Sequence, residues 1–283
     1  MSPSLTVAIT MINTLSIYLG YEFVQHALIA GTLSAILGAV VGYFVIIRNS
    51  GFAAHSLAHI GFAGAAGAAL VGLSPLEGML LLTVGAGIGM GAAGDKVNRS
   101  DMAIGMVLSM SLGLGTLFLK LYTGYAGQAK AILFGEIFGV SEDQIVKMAI
   151  LSAMSLGALA IFSRRLLFAS VQPRLAEGRG LSLPALSISF MAVLAISVTL
   201  ASQVVGVLLV FTLVIAPAGI AVRLCRSFWP GIAISVLLGI LAVWVGILLD
   251  CVTTYPATFW ITGIFFILYV FVEGYHRFFA KDG

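Results

Sequence analysis

Charge is what this sequence has least of. Only 9% of its 283 residues are Asp, Glu, Lys or Arg, where a soluble globular chain carries about 25%. That scarcity excludes a soluble enzyme and a disordered segment. A net charge of +3 is too small to hold a polyanion, so no nucleic acid is expected as a partner. Cysteine is almost missing: Cys225 and Cys251 are the only two, too few for a disulfide framework. They fall near opposite ends of one predicted span, roughly 30 Å apart along a helix, which is too far to bridge. There is no G-x-x-x-x-G-K-[ST] loop and no Gly-Lys dipeptide, so the chain is not by itself a P-loop ATPase. H-E-x-x-H is absent as well, which argues against an intramembrane metalloenzyme. Residues 1–20 carry no Lys or Arg and so lack the basic start of a secretory signal; they are expected to form a short amphipathic lead-in.

What is present is apolar. Hydrophobic residues make up 60% of the chain and the mean hydropathy is +1.13. Apolar runs of membrane-spanning length recur from end to end, the pattern of a polytopic bundle of transmembrane helices in a lipid bilayer. The fold class is therefore all-α, with about nine spans in a single transmembrane domain over residues 1–283. The expected spans are 26–47, 52–72, 76–93, 102–119, 144–162, 184–201, 204–222, 230–249 and 257–274. Ser202 and Gln203 alone form the turn between the sixth and seventh. The stretch 120–143 is polar around an apolar core at 131–140, and reads as a short interfacial or re-entrant helix. The longest loop on the basic side, 163–183, is too short to fold alone.

The basic residues orient the bundle. Eleven of the fourteen (Arg48, Lys96, Arg99, Arg164, Arg165, Arg174, Arg179, Arg223, Arg226, Arg277 and Lys281) fall on one side, and Lys120, Lys130 and Lys147 on the other. The crowded side is assigned to the cytoplasm. The N-terminus is then outside and the C-terminus inside. The outer side carries Glu22, Glu77, Glu136, Glu142, Asp143 and Asp250. These would gather cations at an acidic mouth, or are simply solvated loop carboxylates.

Within the spans, the ionisable residues that stand out are His55 and His59. Such residues are costly in lipid and usually functional. Their i, i+4 spacing puts both imidazoles on one helix face, the geometry by which one helix offers two nitrogens to one metal. The alternative is that they hydrogen-bond to neighbouring helices. The stripe continues to Ala63 and Gly67, small side chains that leave room for a path or for close packing. Imidazole suits zinc, copper, iron and nickel better than manganese, and two ligands hold an ion weakly enough to release it. Binding needs neutral rings, so transport should weaken as pH falls through about 6.5.

Glycine is abundant, with 33 residues. Gly38 and Gly42, and Gly87 and Gly91, form G-x-x-x-G pairs, while Gly61, Gly64 and Gly67 recur every third residue. All are read as packing surfaces. Mid-membrane carboxylates are nearly missing from the third span onward, which argues against proton or sodium coupling. Pro217 and Gly219 are expected to break the inner end of the seventh span. A short basic stretch with Arg223 and Arg226 comes next and ends on Trp229. It reads equally as a turn that docks into a partner's groove and as an interfacial anchor.

Three stretches resemble the permease subunit of zinc/manganese-type ABC importers. The first is Arg48-Asn49-Ser50-Gly51-Phe52-Ala53-Ala54-His55-Ser56-Leu57-Ala58-His59. The second is Leu133-Phe134-Gly135-Glu136. The third runs from Gln203-Val204-Val205-Gly206-Val207-Leu208-Leu209-Val210 through Pro217-Ala218 to Arg223-Leu224. The resemblance covers nearly the whole chain. It implies a type II ABC importer of two permease copies, cytoplasmic ATP-binding subunits and an external metal-binding protein, in a bacterial inner membrane. It implies that the segment after Pro217 contacts the ATPase and that the second-span motif touches the ion. His59 matches the family histidine. His55 stands where the family usually has aspartate, which tilts the cargo toward zinc, with manganese or iron open. The chain is thus expected to carry no catalytic residue and no resident cofactor. Its metal ligands would be His55 and His59, and its ATPase contacts Pro217, Gly219, Arg223 and Arg226. The rival reading from the residues alone is a gradient-driven carrier or channel with no ATPase partner.

Overall fold

The structure, a computed structural model, describes residues 17–98, 101–122, 133–225 and 227–279. Ten α-helices account for most of them: α1 (Glu22–Ile47), α2 (Gly51–Val71), α3 (Pro75–Asn98), α4 (Asp101–Leu121), α5 (Glu142–Val171), α6 (Pro173–Gly178), α7 (Leu183–Val205), α8 (Val210–Leu224), α9 (Phe228–Val252) and α10 (Ala257–Phe279). No strand occurs among the described residues, as the all-α reading requires.

Apolar side chains make these segments helical in lipid, because a helix satisfies every backbone polar group internally. Their ends obey local chemistry. Ser141 caps α5 reciprocally: Gln144 N–H donates to its hydroxyl, and its own N–H donates to the Gln144 side chain. Ser182 accepts from Ala185 N–H to start α7, with Pro184 in the first turn. Gly72 ends α2 in the left-handed conformation at φ 74°.

Eight helices are long and apolar enough to cross a membrane, and α8 is the short exception. Its 15 residues span about 22 Å at 1.5 Å each, less than the ~30 Å hydrocarbon core. The seventh span is therefore not 204–222. α7 runs through Ser202 and Gln203 to Val205, and the chain turns at Gly206–Leu209 instead. Hydropathy alone does not register a glycine turn inside an apolar run. Nor does Pro217 break the helix; α8 continues through it to Leu224. The proline frees the Leu213 carbonyl from its usual donor, and Gly38 of α1 lies beside that oxygen, while Gly42 presses against the Val214 carbonyl. The loosened turn is thus buttressed by a glycine face.

The fifth span also differs from 144–162. α5 extends through Arg164 and Arg165 to Val171, and the loop after it holds the short α6. Arginine is a good helix former whose head reaches water along its stem, so two arginines do not end a helix. In 120–143, residues 123–132 lie outside the described residues; Leu133 and Phe134 beyond them are helical, and a short 3₁₀ turn, Ile137–Gly139, follows.

The packing is layered. In the most apolar windows of α2, α1 and α7, 72%, 67% and 56% of residues are buried, against 17% for α4 and 22% for α5 and α10. The first three form the centre. Gly64 on α2 meets Gly78 on α3 backbone to backbone, and Gly87 and Gly91 of α3 rest on Met191 and Ile188 of α7, confirming the packing role read from these glycines.

Candidate functional site

The histidine pair sits in the first half of α2, five and nine residues into the helix. α1 ends at Arg48, whose Nη1 donates to Ser170 Oγ at 3.2 Å and whose guanidinium lies over the Phe190 ring, 5.2 Å from its centroid. Arg48 so ties α1, α5 and α7 together at one end of the bundle. Asn49 takes a positive φ of 54°, and the chain re-enters the bundle as α2.

The His55 and His59 rings stand edge to face with centroids 4.7 Å apart. His55 is half-buried, flanked by Phe52 and by Phe211 of α8, whose ring centroids lie 6.5 and 5.5 Å away. His59 is buried at 6% exposure. Its Nδ1 is enclosed and has no hydrogen-bond partner among the described residues. A buried polar atom left unmatched costs about 1–3 kcal/mol, so this nitrogen is available to a ligand. Among the described residues no group of three or more His, Cys, Asp or Glu side chains converges, so the two imidazoles have no third such side chain beside them.

The face beyond the pair is not open. Ala63 and Ala66 are buried, Phe62 is packed against Gly115 of α4, and Gly67 lies under the Phe118 ring. The small residues serve close helix packing in this conformation rather than leaving a channel.

The two other motif stretches meet each other. Leu208 N–H donates to the Leu133 carbonyl at 3.3 Å, and Gly206 lies directly on the Phe134–Gly135 peptide. Nothing in the sequence marks these two stretches as neighbours. Beside their junction, Glu136 and Asp250 line a cleft of about 690 Å³ with Thr254 and Thr258. Asp250 is partly engaged there, accepting from Ala257 N–H at 2.8 Å to start α10.

Of the residues expected to face an ATPase, Pro217 and Gly219 are buried within α8. Arg223 is exposed but tied to α10: its Nε lies 2.9 Å from Glu273 Oε2, and its guanidinium 5.1 Å from the Tyr269 ring centroid. Arg226 lies outside the described residues. A feature that hydropathy and motif spacing miss is α6, where Arg174, Leu175 and Glu177 are exposed, as is Arg179 just past its end. Its signal is the proline after a long helix and a glycine a turn and a half later.

Comparison with known proteins bears on this arrangement. The model of the ABC 3 transport family matches residues 20–275. The manganese transport system membrane protein MntC of Listeria monocytogenes is 26% identical over 92% of this chain and 95% of its own length. The high-affinity zinc uptake system membrane protein ZnuB of Haemophilus influenzae is 24% identical over 81% and 88%. Among solved structures, PsaBC from Streptococcus pneumoniae in complex with Fab superimposes with a TM-score of 0.81 at 22% identity, covering 98% of this chain and 100% of that one. This last likeness concerns the fold.

Proposed function

Because this chain belongs to the ABC 3 transport family, we propose that it is the permease subunit of an ATP-driven importer for a divalent metal ion, with zinc the preferred cargo. Its relatives are named for manganese, zinc and iron, so the family alone does not choose the ion; the donor set is what supports zinc. Two imidazoles favour zinc over manganese, which prefers carboxylate oxygen. The observation that carries the reading is the enclosed, unmatched Nδ1 of His59 beside the His55 ring. A passing ion would bind both rings after a side-chain rotation and leave readily, since two ligands are half of a closed zinc shell.

The rest of the assembly stems from the same reading. The chain is a single permease domain in a bacterial inner membrane, with its N-terminus outside and its C-terminus in the cytoplasm as the basic residues require. It works as two copies, receives metal from an external binding protein and is driven by a separate ATP-binding subunit. That subunit would meet the segment 223–226 and the exposed α6, both on the basic side. Burial of Pro217 and Gly219 gives them a shaping role in this contact.

The test is reconstitution with the ATP-binding subunit. His55→Ala and His59→Ala should each lower zinc uptake about tenfold or more, each tenfold being about 1.4 kcal/mol of lost binding. Zinc-stimulated ATP hydrolysis should fall with uptake. Full uptake in both variants removes the histidines from the path.

A further inference from the structure

Two side-chain atoms of α2 are enclosed with no hydrogen-bond partner among the described residues: His59 Nδ1 and Ser56 Oγ. Ser56 is wholly buried, at 0% exposure. A hydroxyl inside a helix commonly donates back to the carbonyl four residues earlier, as those of Thr32, Ser109, Ser111 and Ser202 do. That of Ser56 does not. Four other serines are enclosed and unpartnered, on α5 and α7, but Ser56 alone shares its helix with an unmatched ring nitrogen.

The two orphans are one turn apart. With about 100° between successive residues, His59 falls about 40° from His55 and about 60° from Ser56, between the two. Helical side chains lean toward the N-terminus of their helix, so the His59 ring lies over the turn that carries both. One side of the ring meets His55, with centroids 4.7 Å apart. The other side falls toward Ser56, at the i, i+3 spacing where side chains of a helix meet. A neutral imidazole has one N–H and one lone pair, and a hydroxyl has two lone pairs to accept with. A metal takes the ring's lone pair. The ring then donates its N–H to an acceptor, which fixes both its tautomer and its orientation.

We propose that Ser56 is the positioning residue of the ion site: its Oγ accepts the Nδ1–H of His59, which leaves the Nε2 lone pair for the ion that His55 also holds. This rests on the reading that the ion binds both rings. The two side chains come together by a change between staggered rotamers, part of the rotation that ion binding already calls for. Of the two His59 nitrogens only Nδ1 is enclosed without a partner, and an enclosed nitrogen suits a neighbouring side chain better than an arriving ion. A hydroxyl is also neutral. It orients the ring without adding a charge that would tighten the hold on a cation that must leave. The buried, unmatched serine thereby gains an explanation, which such a group calls for: the site uses it, not the fold.

Two experiments on the full chain, reconstituted with its ATP-binding subunit, test this role. Ser56→Ala should raise the zinc concentration for half-maximal uptake about tenfold, as when a ligating histidine loses its hydrogen-bond partner, and leave the maximal rate nearly unchanged. The variant should resist denaturing detergent at least as well as the unaltered chain, because a buried hydroxyl with no partner adds nothing to the fold. An unmoved half-maximal concentration overturns the proposal. So does a rise accompanied by lost stability, the mark of a merely structural serine. The second experiment is nitrogen NMR of histidine-labelled protein with zinc added, the His59 signals being identified by their loss in His59→Ala. They should show a proton fixed on Nδ1 and the metal on Nε2, and Ser56→Ala should release that proton to exchange. Zinc on Nδ1 overturns the proposal. If His55→Ala and His59→Ala both keep full uptake, the histidine reading fails and the serine's role with it. If both lose uptake while Ser56→Ala matches the unaltered chain, the serine's role fails alone.

Discussion

Gly135 and Gly206 meet backbone to backbone, and both hold a positive φ, 79° and 75°. The contact joins the Leu-Phe-Gly-Glu stretch to the turn that ends α7. Gly206 combines its φ with a ψ of 163°, a region that only glycine occupies at low cost. This junction sets where α8 begins, and α8 in turn presents Phe211 to His55.

Gly206→Val should therefore be among the most damaging single changes outside the histidine pair. Backbone strain and collision with the Phe134–Gly135 peptide together predict a loss of about 2–4 kcal/mol. Gly72 provides the contrast: its φ is 74°, but nothing lies within 4 Å of an added β-carbon. Gly72→Ala should cost only about 1 kcal/mol. Unfolding in a denaturing detergent, monitored by circular dichroism, checks the difference; equal losses would show that the glycine junction does not constrain the fold.

The pairing of Arg223 with Glu273 allows its two roles to be separated. The pair is 38% and 29% exposed, so its removal should cost no more than about 1 kcal/mol. If Arg223 acts mainly by fastening α8 to α10, Arg223→Glu should weaken uptake and the exchange Arg223→Glu with Glu273→Arg should restore it. If the arginine head contacts the ATP-binding subunit directly, the exchange should not rescue co-purification of that subunit. We expect restored stability with incomplete rescue of co-purification, measured on the same detergent extracts.

Much of this architecture is legible in the chain itself. Long apolar runs determine helices in lipid because no other open structure satisfies the backbone, so eight of the nine expected spans coincide with a long apolar helix, α5 alone of these running well past its expected end. The packing glycines at 38, 42, 87 and 91 are legible for the same reason: small residues at four-residue spacing mark close approach. What fails to show is tertiary. The α8 helix is short because Gly206 turns the chain inside an apolar run, and nothing in its composition says so. The Phe62–Gly115 and Arg223–Glu273 contacts join residues some fifty positions apart. The histidine pair is visible as a spacing, but the enclosure of His59 Nδ1 and the aromatic flank from Phe211 depend on which helices pack beside α2.

Protons compete with the cargo at the histidines. A metal ion requires the neutral ring, and an unperturbed imidazole takes its proton at about 6.5. Metal affinity should be fully developed above that range and fall as pH drops through it. Two rings binding together make the fall steeper than one proton per ion. Zinc uptake at fixed ATP, measured between pH 5 and 8 (roughly the range over which histidine changes charge), should show this slope. His55→Ala and His59→Ala should each flatten what uptake remains. A slope unchanged in both variants would place the titrating group elsewhere.

Ion choice should depend on residue 55. The family resembled by this chain usually places aspartate there, and manganese favours a carboxylate oxygen where zinc accepts imidazole. His55 is only half-buried, so a carboxylate there is less enclosed than one at the buried His59 and should cost the fold less. His55→Asp should raise manganese uptake relative to zinc by about tenfold, a difference of roughly 1.4 kcal/mol in ion binding. His59→Asp should behave differently: at 6% exposure an unpaired carboxylate is costly to bury, and poor assembly should precede any change in selectivity. Uptake of the two metals in direct competition, with assembly monitored by gel filtration, reads both outcomes. A manganese-to-zinc ratio unmoved by His55→Asp in well-assembled protein would mean that the ion is chosen before it reaches α2.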